Sequence, residues 1–443
     1  MEPVTYSVNQ KTISKYLTIG LFFIIILPLF AISCDDQRIQ TITWVEYEPV
    51  YMSHEEFVNS VSLKEARDLE RPGKIFFYDG HLFVNEINKG VHIIDNQDPS
   101  NPVNIGFINI PANKDIAVRG NRLYADSNKE LLVFDITNLQ QADLIKRVED
   151  VFNQSANMAP GFTTQRVDES EGVVVDWREV VKKEVCESNC RSHPAHGAQI
   201  DIAFDSPNRT GVASEFSGGG SGGSGVGGSM ARFAITGNYL YAVDYRDLIT
   251  FEITTSDALK TDHQHVGWMI ETIFPYNNNL FIGSANAMYI YDLENPAAPN
   301  RLSVFQHATA CDPVVVEGNY AYVTLRDGEN CPNITGANQL EVIDVSDLTN
   351  PKNIGIYEMI KPHGLGIDNG DLFISEGEYG LKILDANDPY NVKLLEHIKS
   401  IRTFDVIPLN GVLMVTGESG ILQYDYSDIH NLELLSIIPV NKN

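Results

Sequence analysis

Apolar residues in this chain come in runs of five to seven, and the runs recur at a period of about 40 residues. Each unit turns at Gly or Asn, continues in an aromatic-rich run, turns again, and ends in an apolar run closed by an acid. The second unit is the clearest: Gly120-Asn121-Arg122-Leu123-Tyr124-Ala125, then Leu131-Leu132-Val133-Phe134-Asp135. The pairs Leu82-Phe83, Leu240-Tyr241, Leu280-Phe281, Ala321-Tyr322, Leu372-Phe373 and Leu413-Met414 fall in the same column. The closing acids are Asp95, Asp135, Glu252, Asp292, Asp344, Asp385 and Asp425, at successive steps of 40, 117, 40, 52, 41 and 40. The two long steps exceed the period by 77 and 12 residues, so seven columns align once two insertions are set aside.

Runs this short, rich in Val, Ile, Phe and Tyr, predict β-strands. Turns with Pro follow most closing acids, at Asp98-Pro99, Asn295-Pro296, Asn350-Pro351 and Asp388-Pro389. Asp and Asn at such positions hold the turn by accepting nearby backbone N–H groups, so the column acids are expected to be structural. A four-stranded unit repeated seven times predicts radial closure, which leaves few sheet edges exposed. The expected fold is therefore all-β: a β-propeller of about seven four-stranded blades, with six or eight as alternatives, and one long insertion. The last blade is expected to end near Leu434–Val440, and a strand over Thr43–Met52 is a candidate for joining the two ends. The strand-plus-acid signature of Leu131–Asp135, Leu340–Asp344 and Leu381–Asp385 resembles the LVIVD-repeat family of bacterial and archaeal surface proteins. That resemblance runs from about Gly73 to the C-terminus and implies a cell-surface propeller without a settled activity.

The first residues follow a different pattern. Lys11 and Lys15 precede an uncharged, mostly apolar run from Leu17 to Ile32, shorter than a spanning helix needs. Ala31-Ile32-Ser33-Cys34 resembles the lipobox of bacterial lipoproteins, although Ala31 stands where that motif usually carries Leu. Asp35 and Asp36 resemble the surface-export signal of Bacteroidetes-type lipoproteins. The predicted organisation is a lipoprotein signal peptide over 1–33, an anchor and linker over 34–72 with Cys34 acylated, and the propeller over 73–443 with an insertion at 153–230. Localisation at the outer membrane, exposed at the cell surface, follows from the resemblance.

Basic residues number 32 and acidic ones 59, a formal net charge of −27. Such a chain repels phosphate backbones, which argues against nucleic acid as a partner.

Within the insertion, Gly172–Val185 can extend a sheet, and Ser217–Ser229 is a Gly/Ser run expected to be a flexible tether. Gly220, Gly222 and Gly225 satisfy GxGxxG, but a strand follows them where a dinucleotide site needs a helix. Without Cys34, four cysteines remain, an even number in an oxidising compartment. Disulfides Cys186–Cys190 and Cys311–Cys331 are the expectation. Cys186, Cys190, His193 and His196 form the alternative, a zinc site, although zinc pairs are usually separated by a longer loop.

In a propeller the residue before each innermost strand lies at the mouth of the central channel. Counting back from the turn in each repeat gives Lys74, Asp115, Arg232, Glu271, Asp312, His363 and Asp405, all charged or titratable. Ordinary polar strand starts account for such a set equally well. As a site, it is a mixed-charge mouth for a polar ligand, with His363 a candidate acid–base group and the insertion a candidate lid. Two functions follow. One is a non-catalytic surface module that binds a protein or glycan, held to the membrane by its lipid and needing no cofactor. The other is an exported hydrolase or lyase acting in the channel mouth. Trp44, Trp177 and Trp268 are not periodic, unlike the Trp-bearing repeats of quinoprotein dehydrogenases.

Overall fold

The computed structural model describes residues 40–153, 158–159, 163–164, 167–186, 226–229, 231–308, 313–327 and 336–441. The chain divides into two compact units, Met1–Glu46 with Glu179–Asp205, and Tyr47–Arg178 with Ser206–Asn443. In the described part of the first unit, Lys182 pairs with Glu46 at 3.7 Å.

The second unit holds the repeats. Repeat 2 is typical: Ile116–Arg119, Arg122–Ser127, Glu130–Asp135 and Asp143–Val148 pair in chain order as an antiparallel meander. Repeats 5, 6 and 7 are likewise four-stranded sheets, over 314–358, 365–398 and 403–439. The first three strands of repeat 2 are almost wholly buried, whereas the fourth alternates between exposed and half-buried positions. Neighbouring blades cover both faces near the axis, which is why the inner strands are continuous apolar runs.

The closing acids behave as expected. Asp95, Asp135, Asp344, Asp385 and Asp425 accept the backbone N–H two residues on, at 2.8–3.1 Å. The residue after each of the seven acids donates its N–H to the turn between the first two strands. These pairs are Asn96 to Gly80, Ile136 to Asn121, Ile253 to Asn238, Leu293 to Asn278, Val345 to Asn319, Ala386 to Gly370 and Tyr426 to Gly411, at 2.8–3.0 Å. One bond per repeat identifies seven repeats.

They are laid into six large sheets, not seven. Repeats 3 and 4 share one, because Leu259–Tyr276 runs unbroken from the fourth strand of one into the first strand of the next. The chain bends there at Met269, whose φ is 52°.

The ring closes between repeats 7 and 1. Ile407, Met414, Ile421 and Ile438 pack with Ile75, Leu82, Val84 and Ile94. The amides of Asn96 and Gln423 exchange two hydrogen bonds at 2.9 and 2.7 Å. Leu69 bridges Val440 in parallel.

The expected joining strand exists but does not close the ring: Gln40–Met52 pairs with Val173–Cys186 of the insertion. The linker region is also more ordered than its sequence suggests. Helix α1, His54–Ser60, starts in a capping box of Ser53 and Glu56 and buries Phe57. Ser62–Lys64 then adds an outer strand to repeat 1 beside Val103–Asn109.

Candidate functional site

Because each repeat is a meander, the closing-acid turns lie at one end of the blades and the entries to the innermost strands at the other. Six of the seven predicted ring residues are described there; Asp312 lies outside the described residues. Four are buried rather than on a solvent-facing rim: Lys74 is 7% exposed, Asp115 1%, His363 8% and Asp405 0%. Arg232 and Glu271 are half-buried.

On one side of the ring these charges face each other. Lys74 Nζ contacts Asp115 Oδ2 at 2.7 Å, and the same oxygen accepts the backbone N–H of Arg232. The Arg232 guanidinium donates to the Val243 carbonyl at 3.0 Å and stands 3.6 Å from Asp126 Oδ2 and 3.5 Å from Asp244 Oδ1. Asp126 Oδ1 receives the backbone N–H groups of Lys114 and Asp115 at 2.6 and 2.8 Å. Burial raises the Asp126 carboxyl above its usual range against the pull of Arg232. Burial and the Arg232 charge bring Lys114 down to about 8.

Asp126 and Asp244 were not singled out by the strand-start column. Their signal lies at the end of the second strand, where four repeats carry an acid: Glu86, Asp126, Asp244 and Glu376. Three of these acids tie down the loop entering the innermost strand, Glu86 through Glu70 and Arg71, Asp126 as above, and Glu376 through Ile360.

The other side of the ring is built differently. The His363 ring packs edge-on against Phe404, with centroids 6.0 Å apart. Its carbonyl accepts from Thr324 Oγ1 at 2.8 Å. Burial, followed by the charges of Arg326, Arg402 and Lys361, holds the imidazole well below its ordinary range, so it is neutral at physiological pH. A Cβ on Gly364 would meet Asp405 Oδ1 at 2.1 Å, so glycine is required for the close approach of repeats 6 and 7.

The end of the Gly/Ser run enters this ring. Val226-Gly227 pairs antiparallel with Phe77 and Phe76 on the innermost strand of repeat 1. Ser229, 2% exposed, accepts the Leu365 N–H at 2.9 Å and donates to Asp405 Oδ1 at 3.5 Å. The expectation of a flexible tether up to Ser229 is therefore corrected at its last residues, which backbone pairing and burial hold in place.

Cys34, Cys190, Cys311, Cys331, His193 and His196 lie outside the described residues, and Cys186 is the last residue of its strand. Among the described residues no group of three or more His, Cys, Asp and Glu is arranged to hold a metal ion.

A search of curated proteins finds no match. Among solved structures, the chain is similar to a protein from Lactobacillus plantarum, with 14% identity, a TM-score of 0.52, and coverage of 84% of this chain and 97% of that one. It is also similar to a chain of the mitotic checkpoint complex, with 8% identity, a TM-score of 0.50, and coverage of 89% and 94%. These likenesses concern the fold alone. The LVIVD repeat family model matches residues 112–150, 309–330 and 333–359, which places LVIVD repeats within this β-propeller.

Proposed function

We propose that this chain is a lipid-anchored cell-surface propeller that binds a protein or glycan partner without converting it. The observation that carries this reading is the internal pairing of the ring. Lys74, Asp115, Arg232, Asp126 and Asp244 pair with one another across three repeats, and the buried segment ending at Ser229 lies among the inner strands. General acid–base catalysis calls for a proton-transfer group oriented by a partner. His363 Nδ1 has no hydrogen-bond partner among the described residues. The anchor is Cys34, with Asp35-Asp36 directing the chain to the outer face, and Cys186–Cys190 and Cys311–Cys331 are its disulfides. No cofactor is required, and the charge of −27 disfavours nucleic acid.

The test is cross-linked capture on intact cells with the full-length anchored protein, alongside mass spectrometry of its N-terminus. We expect an acylated Cys34 and a saturable partner recovered unmodified. A soluble mature chain starting elsewhere removes the anchor. Turnover of a captured glycan or peptide that His363→Ala abolishes would establish the enzyme instead.

A further inference from the structure

Two polar groups between repeats 5 and 6 differ from the rest of the ring. Arg326, which follows the second strand Tyr320–Leu325 of repeat 5, is 8% exposed. Among the described residues its guanidinium makes no hydrogen bond or ion pair, and the charge of Glu271 acts on it. A buried guanidinium is costly unless its donors are met, and a planar carboxylate meets two of them together. Nearby, His363 is also 8% exposed, and its Nδ1 is buried without a partner among the described residues.

Two contacts bring these groups to one place. Thr324 Oγ1 bonds the His363 carbonyl at 2.8 Å, and Arg326, two residues further along an extended chain, points the same way as Thr324. On the far side of the ring, a Cβ on Gly377 would meet His363 Nε2 at 2.7 Å, so Nε2 is held against backbone and Nδ1 faces away from it. Ser375 Oγ, on the residue whose carbonyl receives the His363 N–H, is also buried without a partner among the described residues. Lys361 and Arg402 also act on His363 by charge, although each is paired with an acid, Lys361 with Glu378 and Arg402 with Glu418, both at 3.6 Å.

We propose that this inner face of repeats 5 and 6 binds the carboxylate of a small acidic ligand, with Arg326 as a bidentate clamp and His363 Nδ1 as the second donor. A neutral imidazole carries one N–H, and the ligand selects the tautomer that places it on Nδ1. A carboxylate offers the guanidinium a charged, two-point partner, which a neutral sugar does not. The proposal rests on the binding reading above only in treating the channel as a ligand site.

Calorimetric titration of the full-length protein with D-glucuronate, D-glucose and a uronate tetrasaccharide tests it. We expect saturable one-to-one binding of glucuronate and none of glucose. Equal binding of the tetrasaccharide identifies a glycan residue as the source, and preference for the monosaccharide identifies a free acid. Arg326→Gln should weaken binding at least tenfold, and His363→Phe severalfold. Arg326→Lys, which keeps the charge and loses the fork, guards against a folding defect and should weaken binding as well. Arg119→Ala, at the opposite end of repeat 2 and outside this site, should retain it. Absence of glucuronate binding by the folded wild-type protein, or its survival in Arg326→Gln, overturns the site. Partner capture on cells without glucuronate binding removes the site and leaves the binding reading intact. Glucuronate binding without any partner on cells does the reverse.

Discussion

At the scale of single residues, burial changes what a ring charge does. A charged strand start exposed at a rim contributes little to stability, whereas Arg232 sits among Asp115, Asp126 and Asp244, three carboxylates that are each almost wholly buried. Replacing Arg232 with Ala removes the guanidinium from Asp126 and Asp244, while Asp115 keeps Lys74 and the backbone N–H, a loss on the order of 3–5 kcal/mol. Calorimetry should show a lowered Tm; an unchanged Tm would return Arg232 to ordinary surface. His363 makes a second, pH-dependent contribution. Its folded-state affinity for a proton is depressed, so the unfolded chain takes up a proton below about pH 6.5 while the folded chain does not. Stability from this group is therefore complete above about pH 6.5 and is lost as pH falls towards the folded value, at a slope approaching 1.4 kcal/mol per pH unit. Urea midpoints measured between pH 7.5 and 5 should show this slope in the wild type and a flatter one in His363→Phe.

At the scale of elements, each blade depends on tight junctions that only some residues can make. Gly420 opens the third strand of repeat 7 at φ +129°, where a Cβ would lie 2.0 Å from the Ile438 carbonyl oxygen. Gly420→Ala combines an unfavourable backbone with a clash on the neighbouring strand, and should cost about 2 kcal/mol or more. Hydrogen exchange should show the loss concentrated in Gly420–Asp425 and Glu433–Pro439, the strands that meet there. Protection as strong as in the wild type would mean that the turn relaxes freely. Helix α1 shows the limit of a periodicity-based reading. Seven residues are too few for a helical period to register, yet the Ser53-x-x-Glu56 pattern marks its start.

For the whole molecule, closure is a joint between distant segments. Asn96 and Gln423, 327 residues apart, meet amide to amide in a buried site, and hydrophobic side chains of repeats 7 and 1 pack on one another. Gln423→Leu strands the Asn96 amide and should cost about 1–3 kcal/mol. Because the joint couples the ends, we expect a broadened unfolding transition as well as a lower midpoint in urea. A sharp transition at the wild-type midpoint would show that the ring does not depend on this contact.

The repeat, its period and the turn-capping acids are legible along the chain because they are local. A strand needs a run of apolar residues, and an Asx turn needs an acid two residues before its N–H. The column of titratable strand starts was legible for the same reason. What those residues do was not, because pairing depends on which blades are neighbours. Lys74 finds Asp115 across 41 positions, and Arg232 reaches the Asp115 carboxylate across 117. The Gly/Ser run likewise reads as an unstructured tether until the inner strand of repeat 1 offers it a backbone partner. Composition and spacing determined that this chain folds as a ring of repeats. Burial and long-range neighbours, which exist only in the folded ring, decided which of its charges pair with one another and left His363 Nδ1 without a hydrogen-bond partner among the described residues.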